Sequence, residues 1–278
     1  MIKKVTIICE NSIEIPFPVI GEHGLSFYIE GDDGITIFDT GQGLGFMNNM
    51  KLLGKNIPSI NRVILSHGHY DHTGGLLSLL KEREAATPVF VHPAAFIEKG
   101  ALLPSGDVRS IGFPASREDY EKEGADFKEI SGFTKVTDSI SAISDIKHPE
   151  GWKAWDTRLM RKSGDGVIPD PFEDDLSLII ETPSGPVVLL GCAHAGIIEI
   201  LDSISEETGH KKFHAVIGGT HLDSAPEDYV VKTIEVLKKY NVEKIAASHC
   251  TGLRIAARLA GEFGEKFINA SVGKTFEF

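Results

Sequence analysis

Six consecutive residues of this chain, His67-Gly68-His69-Tyr70-Asp71-His72, carry three imidazoles and one carboxylate. Neutral imidazole and carboxylate are the usual protein ligands of zinc and also serve iron and manganese, so the string is a set of metal donors. On an extended or tightly looped segment His67 and His69 point the same way, because side chains alternate with period two, while Asp71 and His72 fall on the turn that follows. One pair can then serve one ion and the second pair its neighbour, which predicts two ions. The competing reading, a histidine-rich surface loop or core histidines satisfied by backbone carbonyls, requires so dense a cluster to arise without a ligand to hold.

The flanks indicate what must position these side chains. Val63-Ile64-Leu65 reads as a buried strand, and Thr73-Gly74-Gly75 before Leu76, Leu77, Leu79 and Leu80 reads as the start of a helix with an apolar face. The donors then sit at the carboxyl end of a strand, where α/β folds place their sites. The same logic recurs downstream. The apolar run Pro186–Leu190 ends in Gly191-Cys192-Ala193-His194, before the helical run Ile197–Leu201. Ala215–Gly219 ends in Thr220-His221, and Lys244–Ser248 ends in His249. Four strand ends carrying histidine argue for a common rim. His194 is expected as the third histidine of the first ion. His221 is expected to bind substrate phosphate, act as an acid or base, or complete the coordination.

The string SHGHYDHTGG resembles the signature of the metallo-β-lactamase superfamily. That resemblance implies an α/β fold, a four-layer αββα sandwich, with a one- or two-metal site at one edge of its two sheets. The stretch from Gly24 to Gly41 is similar to the paired strands that open such domains, and the resemblance gives Asp39 a role in supporting the metal site; a helix N-cap or turn role is the alternative. It implies His67, His69, Asp71, His72, His194 and His249 as ligands, with His249 completing the second metal, and Asp71 orienting a catalytic water.

Two departures matter. The usual Gly-His-Ser/Thr segment is not visible before the strand Leu176–Thr182, where Pro171-Phe172-Glu173-Asp174-Asp175 stands, and the aspartate expected to bridge the metals is replaced by the Gly-Cys-Ala-His run. Either His194 takes over the missing position, or Cys192 reaches a metal itself, or Asp174 or Asp175 supplies an oxygen ligand. Together GHYDHTGG, DPFEDDLSL, GCAHAGI, GGTHL and SHCTG resemble one branch of the superfamily over nearly the whole chain. That branch includes the 7,8-dihydropterin-6-methyl-4-(β-D-ribofuranosyl)aminobenzene-5′-phosphate synthase of methanopterin biosynthesis and uncharacterised relatives.

The chain of 278 residues is expected to form a single domain, 1–278, with a lid-like insertion over roughly 93–171, where Gly, Pro and charged residues weaken the pattern. Trp152, Trp155 and Phe172 could stack on an aromatic ring of a substrate, with Arg158 and its basic neighbours Lys153, Arg161 and Lys162 holding phosphate, or the tryptophans could simply pack this segment onto the core.

Composition bounds the rest. Hydrophobic content of 41% and charged content of 24% are those of an ordinary globular protein, and a net charge of −12 argues against general nucleic-acid binding. No run reaches the roughly 20 apolar residues a membrane span needs. Three cysteines without paired spacing fit a reducing, cytoplasmic setting. The expected partner is a small, anionic substrate, with a homo-oligomer possible on the exposed insertion.

Two divalent ions, zinc first with iron or manganese as alternatives, would polarise a carbonyl or phosphoryl oxygen and lower the pKa of a water from 15.7 to about 7. The expected activity is hydrolysis of an anionic or phosphorylated small molecule. The alternative is a transferase that moves a dihydropterin methylene group onto its partner and releases diphosphate. A redox role would need a flavin partner domain that is not evident here. A non-enzymatic, metal-containing binding protein would be expected to lose donors that this chain keeps.

Overall fold

The computed structural model describes residues 1–14 and 18–278. Its first half runs β1 (Ile2–Cys9), β2 (Ser26–Gly31), β3 (Gly34–Phe38), α1 (Phe46–Leu52), β4 (Ile60–Ile64), α2 (Tyr70–Thr73), α3 (Leu76–Arg83) and β5 (Thr87–Val91). The middle holds β6 (Lys99–Leu102), β7 (Val108–Ser110), α4 (Arg117–Lys122), β8 (Ala125–Glu129), β9 (Phe133–Lys135), β10 (Ile140–Ile143), β11 (Leu159–Ser163) and β12 (Gly166–Pro169). The last part runs β13 (Ser177–Thr182), β14 (Gly185–Leu190), α5 (Ile197–Thr208), β15 (Ala215–Gly219), α6 (Glu227–Lys239), β16 (Lys244–Ser248), α7 (Leu253–Phe263) and β17 (Thr275–Glu277).

Two sheets face each other, one of seven strands in the order β17-β1-β2-β3-β4-β5-β8 and one of six in the order β16-β15-β14-β13-β10-β9. The alternation of side chains along each strand sorts the apolar residues into three layers of core. Phe27, Phe38 and Ile64 of the first sheet meet Leu178, Leu189 and Ile217 of the second between the sheets. The intervening residues Tyr28, Ile37 and Val63 turn outward to α1 and α3. Ile179, Val188 and Val216 turn outward to α5, α6 and α7. The result is the four-layer αββα sandwich that the motifs implied.

Residues 93–171 do not form one inserted lid. β8 completes the first sheet and β9 with β10 extend the second, so much of this segment belongs to the sandwich; only β12-β11-β6-β7 form a separate four-stranded sheet. Its strands are short and its turns polar, which hides their membership from a periodicity argument. Among the described residues no helix is long and apolar enough to cross a membrane.

Candidate metal centre

The parallel pairing of β3 with β4, of β14 with β15 and of β15 with β16 brings their carboxyl ends to one edge of the sandwich. Asp39 follows β3, the His67–His72 loop follows β4, Cys192 and His194 follow β14, His221 follows β15 and His249 follows β16. The two rims meet closely at Gly191, where a Cβ would lie 2.3 Å from Ser66 Oγ. Only a glycine lets β14 approach the metal loop in this way.

One group of donors is His67, His69 and His194. Ser66 Oγ donates to Asp39 Oδ2 at 2.7 Å and so accepts from His67 Nδ1–H at 2.8 Å, which leaves Nε2 of His67 with its lone pair free. His67 Nε2 lies 2.9 Å from His69 Nδ1. His69 Nε2 and both ring nitrogens of His194 are buried with no hydrogen-bond partner. The His194 ring stacks on Phe172, 4.3 Å between centroids and nearly parallel at 6°, and Phe172 also meets His69 edge-on. Burial lowers the pKa of all three imidazoles, that of His69 to about 3, which keeps them in the neutral form that binds metal.

The other group is Asp71, His72 and His249. His72 Nδ1–H donates to Asp39 Oδ2 at 2.7 Å, and His249 Nδ1–H to Asn11 Oδ1 at 2.9 Å, so each presents Nε2 to the other at 3.3 Å. The His249 amide donates to Glu10 at 2.7 Å. Asp71 Oδ2 lies 3.2 Å from His249 Nε2 and 3.7 Å from His72 Nε2. Burial acts to raise the Asp71 pKa, but the imidazoles of His72 and His249 outweigh it and hold the carboxylate well below its usual range. Burial likewise opposes the charged form of His72, and the carboxylates of Asp39 and Asp71 override it, lifting its pKa to about 9.

Cys192 lies between the groups. Its Sγ is 3.1 Å from His72 Nε2, and it falls within 4.8 Å of the donor atoms of both His67 with His194 and His72 with His249. A thiol thus occupies the place where the resemblance led one to expect a bridging aspartate. Tetrahedral zinc with bonds of about 2.0–2.1 Å to nitrogen sets its donor atoms about 3.3 Å apart, close to the spacings seen here. Unpartnered buried nitrogens, outer nitrogens already engaged and a central sulfur all fit divalent ions, which the six sequence-derived donors together with Cys192 would hold.

The centre is also where the backbone is strained. Asp39, Phe172, Ala193, His221 and His249 all take positive φ, between 49° and 61°. Such angles in residues with a Cβ cost of order 1–3 kcal/mol each and persist where the surroundings enforce them.

A cleft of about 200 Å³ opens over the centre, lined by His23, His69, Asp71, His194, His221 and His249 among others. His221 sits 4.3 Å from the His194 ring, with neither ring nitrogen in a close hydrogen bond, and its Nε2 is 3.7 Å from Asp156 Oδ2. Burial disfavours its charge, but Asp156 and Cys250 outweigh that and raise the pKa to about 9.

Other expected substrate residues lie elsewhere. Trp152 stacks on His148 at 3.6 Å; Trp155 packs on Tyr229 and donates its Nε1–H to the carbonyl of His221 at 3.0 Å. Arg158 is largely exposed and forks onto Asp156. Neither tryptophan nor Arg158 lines the cleft, and among its described lining residues there is no Lys or Arg. Phe172 is buried beneath the histidines as packing. Both oxygens of Asp174 are engaged, one by Lys99 and the other by the Gly68 amide, whereas Asp175 Oδ2 accepts the Ala195 amide at 2.9 Å and its Oδ1 is buried with no partner.

Sequence reasoning missed Glu10, Asn11, His23, Asp156 and Cys250. The first two follow β1 on the same rim, so a strand ending in Cys-Glu-Asn was the available signal; the exposed His23 and the long-range Asp156 left none.

The family model of the metallo-beta-lactamase superfamily matches residues 19–249. This chain therefore belongs to that superfamily. It is 34% identical, over 99% of its length and 96% of the relative's, to a 7,8-dihydropterin-6-methyl-4-(beta-D-ribofuranosyl)-aminobenzene-5'-phosphate synthase of Methanocaldococcus jannaschii. It is 27% identical to an uncharacterised protein of the same organism, MJ0448, over 91% of this chain and 92% of that one. Among solved structures it resembles Tm1679, described as a metal-dependent hydrolase of the beta-lactamase superfamily, with a TM-score of 0.83, 27% identity and 99% of both chains covered.

Proposed function

We propose that this chain is an enzyme with a binuclear metal centre that hydrolyses an anionic, phosphorylated small molecule. The observation that carries this reading is the sharing of Cys192 by two donor groups that open on one cleft. Bound ions would supply Lewis acidity toward a phosphoryl or carbonyl oxygen and ionise a water at neutral pH.

The protein's own part is to hold and orient. Asp39 and Asn11 fix the imidazoles of His72 and His249 with Nε2 facing inward, and Ser66 does the same for His67. His221, with no close hydrogen bond at either ring nitrogen, hydrogen-bonds a substrate oxygen, while Trp155 donates to its backbone carbonyl and Asp156, 3.7 Å from Nε2, favours its charged form. With no Lys or Arg among the described residues lining the cleft, recognition of a phosphate rests on the ions and on His23 and His221.

A second reading, transfer of a dihydropterin methylene group with loss of diphosphate, is favoured by the synthase relative, which matches 99% of the chain. Both chemistries need charge stabilised on oxygen. The test is to supply zinc- or manganese-loaded protein with phosphoesters, lactones and a pterin diphosphate, the last with and without an aminobenzene partner. Turnover of an ester or lactone by water supports hydrolysis. Diphosphate release that requires the aminobenzene partner supports transfer instead, and no turnover of any of them by protein loaded with either ion contradicts both.

A further inference from the structure

Resting on the metal-centre reading above, we propose that Lys99 is a positioning residue for His67 and His69, acting through Asp174 to orient the backbone between them. Lys99 opens β6, in the small sheet outside the sandwich. Its ammonium is buried, 2.7 Å from Asp170 Oδ2 and 2.8 Å from Asp174 Oδ1. The second oxygen of Asp174 accepts the amide of Gly68, the residue between the two histidines, at 2.9 Å. The second oxygen of Asp170 accepts the amide of Phe172, whose ring lies under His194, at 2.8 Å.

A parallel tie runs through the backbone. Lys99 O accepts the Ile111 amide at 3.0 Å, and Ile111 O accepts the amide of Tyr70, which follows His69, at 2.9 Å. On its other side Gly68 is against the wall, since a Cβ there would lie 2.0 Å from Ala95 O. The loop is therefore held from both sides.

A buried cation between two carboxylates is a poor way to gain stability, because an apolar trio of similar volume is often as stable or more so. What the charges supply is direction. With one oxygen on Lys99, Asp174 has its other oxygen aimed at Gly68 as a charge-assisted acceptor. This segment stands where the superfamily pattern led one to expect a histidine ligand. Here it orients the ligands of the first group rather than adding one.

The substitution that isolates this role is Asp174→Asn. An amide has one acceptor oxygen, so it can serve Lys99 or the Gly68 amide but not both. Zinc affinity of the full chain is measured by chelator competition on folded protein, together with the visible spectrum of the cobalt(II)-loaded form and hydrogen exchange of the Gly68 amide without metal. Loss of a partner that orients metal ligands typically costs about 10–100-fold in affinity. The expected result for Asp174→Asn and Lys99→Met is a loss in that range, an altered cobalt spectrum and about tenfold faster exchange at Gly68. Lys55→Met, which breaks the 2.9 Å contact to Glu30 on the first sheet, should change none of these.

Lys99→Met strands two buried carboxylates, and if it does not fold, Asp174→Asn decides alone. Folded Asp174→Asn with zinc affinity within about twofold of the parent and a Gly68 amide as protected as in the parent overturns the proposal and leaves the metal centre standing. A parent that takes up no zinc overturns both.

Discussion

The two donor groups of the centre orient their imidazoles by different means. Around Asp71, His72 and His249 the outer imidazole nitrogens are engaged by Asp39 and Asn11, so polar partners set the tautomers. Around His67, His69 and His194 only His67 has such a partner in Ser66. His69 and His194 are held by the flat face and edge of Phe172 and by the backbone of their loops. One half of the centre is oriented by hydrogen bonds and the other largely by packing. This implies that the His72 half will fail when an acceptor on an imidazole is lost, and the His67 half when the shape around its rings or the support of its loop is lost.

Cys192 belongs to both halves, and removing it should have the largest effect. Cys192→Ala is expected to weaken both positions and leave less than about one equivalent of zinc after dialysis. If zinc content stays at the parent level, the sulfur is not a shared ligand. Asp39→Asn should come next. It takes away the carboxylate that orients His72 directly and His67 only through Ser66, and about 10–100-fold lower affinity is expected at the His72 position with a smaller loss at the other, read as a biphasic chelator titration. Equal weakening of both positions would erase the distinction between the halves. Phe172→Ala should have the smallest effect on metal and the clearest on folding. Emptying a buried phenyl site costs about 3–5 kcal/mol, seen as a lowered midpoint in urea, with the His67 group loosened while the His72 group holds its ion. A variant as stable as the parent would show that packing does not orient His194.

Much of the centre could be read in the chain because ligand chemistry is written in residue types. Three histidines and an aspartate in six residues, and histidine after three further strands, mark the rim without any coordinates. The sandwich followed from the resemblance those motifs carry. What could not be read depends on contacts between distant segments. Asp174 looked like an oxygen donor because its partners, Lys99 and the Gly68 amide, are 75 and 106 residues away in the chain. Trp155 looked like a stacking platform until Tyr229 and the His221 carbonyl were seen to hold it. The small sheet was hidden because β6 pairs with β11 across a long excursion, and no local periodicity marks strands of three to five residues.

The measurement that bears most directly on the account is elemental analysis of the purified, reconstituted chain beside His69→Ala, His249→Ala and the double variant. The account predicts about two metal equivalents in the parent, about one in each single variant and close to none in the double variant. A folded parent that retains no metal after reconstitution would contradict it.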